Sequence, residues 1–273
     1  MYASNYHKPS SLSEAVAALS SNEDAKVLAG GQTLLPTMKQ HLAAPSDLVD
    51  IRAIDGMVGV SVSGDMVTIG AATTHADVAS NADVQAHIPA LASLAEGIGD
   101  PAVRHMGTIG GSIANNDPAA DYPAAVLGLG ATVVTSKREI AADDFFDGMF
   151  ATALDEDEII TAVKFPKPAK AAYAKFPNPA SRYAMAGVFV ALGTDAGNPG
   201  DPPGVRVAVT GAGSDGVFRH GAMEAALASD FSASAADGVA VSADDMLSDI
   251  HGDAAYRANL VKVMTKRAVS AAR

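Results

Sequence analysis

The chain has 273 residues, of which 48% are hydrophobic and 18% charged, and its formal net charge at pH 7 is −12. This length and composition predict a soluble globular protein, with one large domain or two smaller ones. The negative charge argues against nucleic acid and anionic membranes as partners, and the absence of cysteine excludes disulfides, thiolate catalysis and cysteine-held metal clusters within the chain. No apolar run resembles a signal peptide or approaches the roughly 20 residues of a membrane span. We therefore expect a cytoplasmic protein.

A capping box opens the first predicted helix, where Ser11 begins the helix and Glu14 can reach back to it. Residues 26–29 are then typical of a buried strand, which runs directly into the turn Gly30-Gly31. A short helix is predicted from Thr33 to His41. A strand, a glycine turn and a helix start are the geometry that receives a phosphate at a helix N-terminus. The spacing differs from the pattern G-x-G-x-x-G, so a Rossmann fold is not favoured.

Short elements are predicted between residues 47 and 99. Two of the strands should form a hairpin around Ser63-Gly64-Asp65, and Thr74 and Pro89 suit the starts of two helices. The predicted segments are a strand at Asp47–Ile51, hairpin strands at Met57–Ser61 and Met66–Ala71, and a helix from Pro89 that ends near Gly97 or Gly99.

A second glycine-rich stretch lies at Gly107–Asp121. Its small residues predict a long non-repetitive turn in which Gly110 and Gly111 take positive φ, so that successive backbone N–H groups point into one concavity. Together with the turn at Gly30-Gly31, it predicts two walls of one phosphate-bearing site. Taken singly, each glycine pair could equally mark an ordinary turn between a strand and a helix.

Prolines divide the rest of the chain. The four prolines between Lys164 and Pro179 predict a connection or domain boundary, and the two strands beyond it should be antiparallel neighbours. The predicted segments are a buried helix at Pro123–Leu129, a strand at Ala131–Thr135, an acidic segment at Asp143–Phe150, strands at Ile159–Phe165, Met185–Leu192 and Val205–Gly211, an exposed loop at Asn198–Gly204, and helices at Met223–Leu227 and Tyr256–Val269.

With these segments placed, the sequence resembles the FAD-binding medium subunit of the molybdenum hydroxylases, the group of aerobic carbon monoxide dehydrogenase and the xanthine dehydrogenases. The resemblance covers essentially the full length. It rests on Ala29-Gly30-Gly31-Gln32-Thr33-Leu34-Leu35-Pro36, Thr108-Ile109-Gly110-Gly111-Ser112, Asp117-Pro118-Ala119-Ala120-Asp121, Glu158-Ile159-Ile160 with Phe165-Pro166, Ala172-Tyr173-Ala174-Lys175-Phe176 and Ser181-Arg182-Tyr183.

The resemblance implies an α+β fold of the vanillyl-alcohol-oxidase type. Two α/β subdomains, at about 1–55 and 56–168, would clamp an extended FAD, and a smaller α+β domain would occupy about 169–273. The FAD would be bound without a covalent link, because the chain has no cysteine and neither glycine motif contains a histidine.

The resemblance also implies which residues touch the cofactor. The two glycine motifs would embrace the diphosphate and ribityl chain, Lys175 would lie near the flavin ring, and Tyr183 would place an aromatic side chain against it. The full set of expected cofactor-binding residues is Ala29, Gly30, Gly31, Gln32, Thr33, Thr108, Ile109, Gly110, Gly111, Ser112, Asn115, Asp121, Ile160, Lys175 and Tyr183.

Several of these residues also have a purely structural interpretation. Thr33 and Thr108 could bind phosphate or cap a helix. Asp121 could accept from ribose or ribitol hydroxyls or hold its own loop. Lys175 could be a solvated charge or could stabilise the reduced, anionic flavin, and Tyr183 could be an ordinary sheet aromatic.

The leading functional hypothesis is an electron-transfer flavoprotein subunit. A large molybdopterin subunit would oxidise the substrate and a small 2Fe-2S subunit would relay electrons to the FAD on this chain, in a dimer of heterotrimers. The molybdenum cofactor and the clusters would reside on the partner subunits only. The alternatives are a stand-alone flavin oxidase of the same fold, for which 273 residues leave little room for a substrate domain, and a flavin-binding module without turnover.

Overall fold

The computed structural model describes residues 1–193 and 204–273, so the predicted loop at 198–204 lies outside the described residues except for Gly204. The strands are β1 (Asn5–His7), β2 (Lys26–Leu28), β3 (Asp47–Asp50), β4 (Val60–Ser63), β5 (Met66–Gly70), β6 (Thr132–Thr135), β7 (Glu139–Ala141), β8 (Ile160–Pro166), β9 (Lys170–Pro177), β10 (Ala184–Leu192), β11 (Val205–Thr210) and β12 (Phe218–Arg219). The α-helices are α1 (Leu12–Ser20), α2 (Leu34–Lys39), α3 (His75–Ser80), α4 (Ala82–His87), α5 (Pro89–Glu96), α6 (Pro101–Arg104), α7 (Ile109–Asn115), α8 (Tyr122–Gly128), α9 (Gly221–Ser229), α10 (Ala233–Asp237) and α11 (Ala254–Ala271).

The first part of the chain forms a three-stranded parallel sheet in the order β1-β3-β2, against which α1 packs. The predicted cap of α1 is confirmed, since the Ser11 hydroxyl accepts from the Glu14 N–H at 3.3 Å. The Glu14 carboxylate reaches back to the Ser10 N–H at 2.8 Å. This sheet delivers the end of β2 to the first glycine turn.

A five-stranded antiparallel sheet in the order β4-β5-β8-β6-β7 follows. The predicted hairpin is confirmed, with Ser63 opposite Met66, although its first strand begins at Val60 rather than Met57. The predicted helix starts at Thr74 and Pro89 are confirmed too, because the Thr74 hydroxyl caps α3 and Pro89 is the first residue of α5. Helices and this sheet share one large core of fully buried side chains such as Tyr122, Phe145 and Phe165.

The last part of the chain forms a four-stranded antiparallel sheet in the order β12-β11-β10-β9. Helix α11 packs against β9 and β10, and α8 packs against β10 and β11. Helices on both faces explain why β10 is a nearly continuous apolar run instead of an alternating one.

Lys164–Pro179, predicted as a connection or domain boundary, is not an irregular connection. Residues Lys170–Pro177 form β9, which pairs with β10 along its whole length. The prolines bound the strand instead of interrupting it, since they stand at positions 166, 168, 177 and 179. Proline is tolerated at strand ends, where no ladder hydrogen bond is lost.

The prediction of a non-repetitive turn across Gly107–Asp121 was wrong, because residues Ile109–Asn115 form helix α7. Neither Gly110 nor Gly111 has a positive φ. The need for glycine at position 110 comes from packing, since a Cβ there would lie 2.6 Å from the Cβ of Ala71 and 2.7 Å from its carbonyl oxygen.

None of the helices in residues 1–193 and 204–273 is long and apolar enough to cross a membrane.

Candidate cofactor-binding cleft

A cleft of about 960 Å³ lies where the two glycine motifs and the end of β9 meet. Most of the residues expected from the sequence line it, namely Ala29, Gly30, Gly31, Gln32, Thr33, Thr108, Gly111, Ser112, Asn115, Asp121, Lys175 and Tyr183. Ile109, Gly110 and Ile160 do not line it and are buried. The fold therefore brings residues from distant parts of the sequence to one concave surface.

The first glycine motif presents free backbone donors to the cleft. Gly31 has a φ of +67°, which turns the chain sharply between β2 and α2. Within the described part of the chain, the backbone N–H groups of Gly31, Gln32 and Thr33 donate to no protein acceptor. The Thr33 hydroxyl does not cap α2 either. Successive unpaired amides around a left-handed residue form a concavity that binds anions such as phosphate.

The second glycine motif uses its amides internally. At the start of α7, Ile109 N–H donates to the Thr73 carbonyl at 3.1 Å and Gly110 N–H to the Ala71 carbonyl at 2.8 Å. The N–H of Gly111 donates to the Thr108 hydroxyl at 3.1 Å, so Thr108 is a helix cap. The expectation that the Gly110 and Gly111 amides converge on an anion was therefore wrong. This motif shapes the wall of the cleft.

The two glycine motifs are in direct backbone contact. A Cβ on Gly30 would lie 2.1 Å from the Met106 carbonyl oxygen and 2.7 Å from the Gly107 Cα. A Cβ on Gly107 would lie 2.6 Å from Nε2 of His75. Glycine at both positions lets the first turn touch the chain that leads into α7, and both glycines lie in the cleft lining.

A buried ion pair stands elsewhere in the cleft wall. The Lys175 ammonium donates to Oδ2 of Asp121 at 3.0 Å, and the Tyr173 hydroxyl donates to Oδ1 of the same carboxylate at 2.5 Å. The two charged side chains are only 12% and 6% exposed, so Lys175 is not a solvated charge. Burial raises the pKa of Asp121, and the opposing effects of Lys175 and Tyr173 do not cancel that rise.

Two further expected residues have distinct roles. Tyr183 precedes β10 and is 49% exposed, so it is not a sheet aromatic. Burial and the nearby carboxylates of Asp117 and Asp121 raise its pKa. Asn115 faces the cleft, whereas its neighbour Asn116 is buried and donates to the carbonyls of Gly148 and Ala151. Asn116 therefore anchors a loop and Asn115 is available to a ligand.

His75 is a cleft residue that the sequence analysis did not single out. Its ring packs against Tyr122 at 5.3 Å, and its Nδ1 atom is buried without a hydrogen-bond partner among the described residues. Burial, with a smaller effect of Arg104, lowers its pKa to about 4. Its position beside the capping residue Thr74 was the available signal. The structure adds that His75 N–H donates to the Gly107 carbonyl at 2.9 Å.

Acidification should lower the stability of the fold because His75 is buried in its neutral form. The pKa of His75 falls from 6.5 to about 4 on folding, so the unfolded chain binds a proton first as the pH drops. Stability attributable to His75 is fully present above pH 6.5 and should be lost progressively toward pH 4, by about 3 kcal/mol. The measurement is urea unfolding at a series of pH values for the wild type and His75→Gln.

Burial also lowers the pKa of His220, so the wild type alone does not isolate the effect of His75. The test is therefore the difference in pH dependence of stability between the wild type and His75→Gln. His75→Gln should lose less stability than the wild type between pH 6.5 and 4. A matched His251→Gln variant, at an exposed histidine, should follow the wild type. Parallel curves for His75→Gln and the wild type would contradict the assignment.

Comparison with known proteins identifies the family of the chain. The family model described as the FAD binding domain in molybdopterin dehydrogenase matches residues 2–168. The chain is 37% identical to the carbon monoxide dehydrogenase medium chain of Hydrogenophaga pseudoflava, over 98% of this chain and 96% of that protein. It is 36% identical to the nicotine 6-hydroxylase medium subunit of Paenarthrobacter nicotinovorans, over 97% and 95% of the two chains.

The same likeness holds in three dimensions. The mixed helix and sheet fold superimposes on a structure of carbon monoxide dehydrogenase from Hydrogenophaga pseudoflava that lacks the Mo-pyranopterin moiety of the molybdenum cofactor. The TM-score is 0.87 at 37% identity, with 98% of this chain and 96% of that chain covered. The resemblance inferred from the sequence motifs is thus confirmed, and the chain belongs to the family of FAD-binding domains of molybdopterin dehydrogenases.

Proposed function

We propose that this chain is the FAD-binding, electron-transfer subunit of a molybdenum-containing dehydrogenase complex. The observation that carries the proposal is the row of backbone N–H groups from Gly31 to Thr33, which line a cleft of about 960 Å³ and have no acceptor in the described part of the chain. When bound, FAD would supply the chemistry of accepting electrons and passing them to an external acceptor. The chain's own residues would bind the cofactor, orient it and set its affinity for electrons.

The first glycine motif fits the anionic part of FAD. The N–H groups of Gly31, Gln32 and Thr33, with the Thr33 hydroxyl, would hold the diphosphate. Their role matters because acidic residues outnumber basic ones in the lining, with Asp100, Asp117, Asp121, Asp155, Glu156 and Glu158 against Lys26, Lys175 and Arg182. Fixed backbone dipoles can bind an anion in a site whose side-chain charge does not favour it.

The remaining expected residues divide into contacts and support. Ala29, Gly30, Thr108, Gly111, Ser112 and Asn115 would shape the surface along the cofactor, and Asp121, Lys175 and Tyr183 would lie against the flavin end. Ile109, Gly110 and Ile160 would act through packing, since they are buried. The positive charge of Lys175 would favour the reduced form of FAD, and the Asp121 carboxylate at 3.0 Å would partly neutralise that charge.

The domain boundaries are part of the proposal. An FAD domain of the vanillyl-alcohol-oxidase type would span 1–168, with subdomains at about 1–55 and 56–168, and a second domain would span 169–273. The distribution of the sheets supports this division, because the parallel, five-stranded and four-stranded sheets follow one another along the chain. A separate apolar cluster around Val188, Val207 and Val261 supports the last domain.

The partners follow from the relatives that are named medium chains or subunits. A large molybdopterin subunit would oxidise the substrate and a small iron–sulfur subunit would deliver its electrons, in a dimer of heterotrimers in the cytoplasm. The absence of cysteine supports this division of labour, since this chain has no thiolate with which to hold a cluster.

One experiment separates this proposal from the stand-alone oxidase. The chain is purified alone and with co-expressed partner subunits, loaded with FAD, and screened for substrate-dependent bleaching of the flavin. The chain alone should bind FAD but show no bleaching, and bleaching should appear only in the assembled complex. Acid precipitation should release all of the flavin into the supernatant. Rapid bleaching of the isolated chain by an organic substrate would favour the oxidase, and flavin retained in the pellet would overturn the non-covalent assignment.

A further inference from the structure

Tyr173 is the residue that completes the hydrogen bonding of Asp121. Tyr173 and Lys175 are two apart on β9, so their side chains leave the same face of the sheet and reach the same carboxylate. One oxygen of Asp121 accepts from the tyrosine hydroxyl and the other from the lysine ammonium. No other donor to this carboxylate exists among the described side chains.

The neighbouring strand is shaped around the tyrosine hydroxyl. Gly187 on β10 stands opposite Lys175 in the ladder, and a Cβ on it would lie 2.2 Å from the Tyr173 hydroxyl oxygen. The ring of Tyr173 stacks against Phe189, its direct cross-strand partner, with centroids 6.3 Å apart. The absence of a side chain at Gly187 makes room for the Tyr173 hydroxyl, and the Phe189 ring packs against the Tyr173 ring. Together they direct the hydroxyl toward Asp121.

We infer that Tyr173 is a positioning residue: its hydroxyl keeps the Asp121 carboxylate ionised and oriented, and Asp121 thereby holds Lys175 in the cleft wall as half of a neutral pair. This inference rests on the proposed function of the cleft. Lys175 has two further ammonium hydrogens for a ligand once one is given to Asp121. The reduced flavin carries one more negative charge than the oxidised flavin, so its affinity depends on how far Lys175 is neutralised.

The consequence of losing the hydroxyl follows from burial. Asp121 would keep one donor and would bind a proton more readily, because burial already raises its pKa. A protonated Asp121 would leave Lys175 uncompensated and favour the reduced cofactor. The other ionisable groups that face Asp121 are Tyr122 on α8 and Tyr183, while Asp117 lies beside Tyr183. These tyrosines remain neutral and unchanged in the variant.

The test compares Tyr173→Phe with Tyr122→Phe in the FAD-loaded protein. Tyr122 is the matched control, since it adjoins Asp121 in sequence, is fully buried and has a hydroxyl without a hydrogen-bond partner in residues 1–193 and 204–273. The ratio of the dissociation constants for oxidised and reduced FAD is obtained from the midpoint potentials of bound and free flavin. At the acidic end of a pH series, Tyr173→Phe should shift this ratio toward reduced FAD by about tenfold, the size of one hydrogen bond to a buried charge. The shift should shrink at higher pH as Asp121 ionises, and Tyr122→Phe should leave the ratio unchanged.

The outcomes separate the inference from the function. A wild-type chain that binds no FAD would overturn the proposed function. Wild-type binding together with an unchanged ratio in Tyr173→Phe at every pH would overturn only the role of Tyr173, because a purely structural tyrosine weakens both oxidation states equally. Gly187→Ala provides a second variant, since its methyl group would displace the hydroxyl, and it should shift the ratio in the same direction.

Discussion

Replacing Gly111 by valine is expected to weaken the affinity for FAD by about 100-fold or more, while the fold remains. Gly111 is exposed in the cleft. A Cβ built on it would lie 3.8 Å from the Cβ of Ala29. The branched side chain of valine would therefore occupy space along the wall where the cofactor is proposed to lie. The loss is steric, since the φ of Gly111 is not positive and any residue could adopt it.

The variant should lose little stability. The nearest atom to the new Cβ is the Thr108 hydroxyl at 2.9 Å, so the cap of α7 would be disturbed at a cost of about 1 kcal/mol. Flavin fluorescence titration measures the affinity and thermal unfolding measures the fold. Gly221→Val is the matched control, since Gly221 is the first residue of α9 and a Cβ there would meet nothing within 4 Å. Equal FAD affinity in both variants would show that the second motif does not border the cofactor.

Replacing Lys175 by methionine is expected to lower both the stability of the protein and the reduction potential of bound FAD. The ammonium lies 3.0 Å from Asp121, and removing it would leave a buried carboxylate with the Tyr173 hydroxyl alone. Breaking a buried pair by deleting one partner costs about 3–5 kcal/mol. Since Lys175 is proposed to lie near the flavin, loss of its positive charge should disfavour the reduced form by an amount of order 1 kcal/mol.

Urea unfolding and potentiometric titration of the FAD-loaded protein test these two effects. Lys170→Met is the control, because Lys170 begins the same strand and is exposed. The double variant Lys175→Met with Asp121→Asn should recover much of the lost stability, since it removes the unpaired carboxylate as well. If Lys175→Met behaves like Lys170→Met in both measurements, the pair is energetically silent and Lys175 does not act on the flavin.

The local elements and the family could be predicted from the amino-acid sequence. The cap of Ser11 and Glu14, the hairpin turn at Ser63 to Asp65 and the helix start at Pro89 are set by residues that are neighbours in the chain, so their signals are local. The two glycine motifs, together with the other matching motifs between Asp117 and Tyr183, gave the resemblance to the FAD-binding family, which the match over residues 2–168 confirms.

The roles of the individual glycines and the pairing of the buried charges depend on contacts between distant parts of the chain. Position 110 requires glycine because Ala71 packs against it, and position 30 requires glycine because the Met106 carbonyl contacts it. Among the glycines of the two motifs, only Gly31 has a positive φ. The pairing of Asp121 with Lys175 joins residues 54 apart, and β9 became a strand because β10 pairs with it. A single sequence carries no local signal for such contacts, because their free energy comes from burial and from partners supplied by the folded chain.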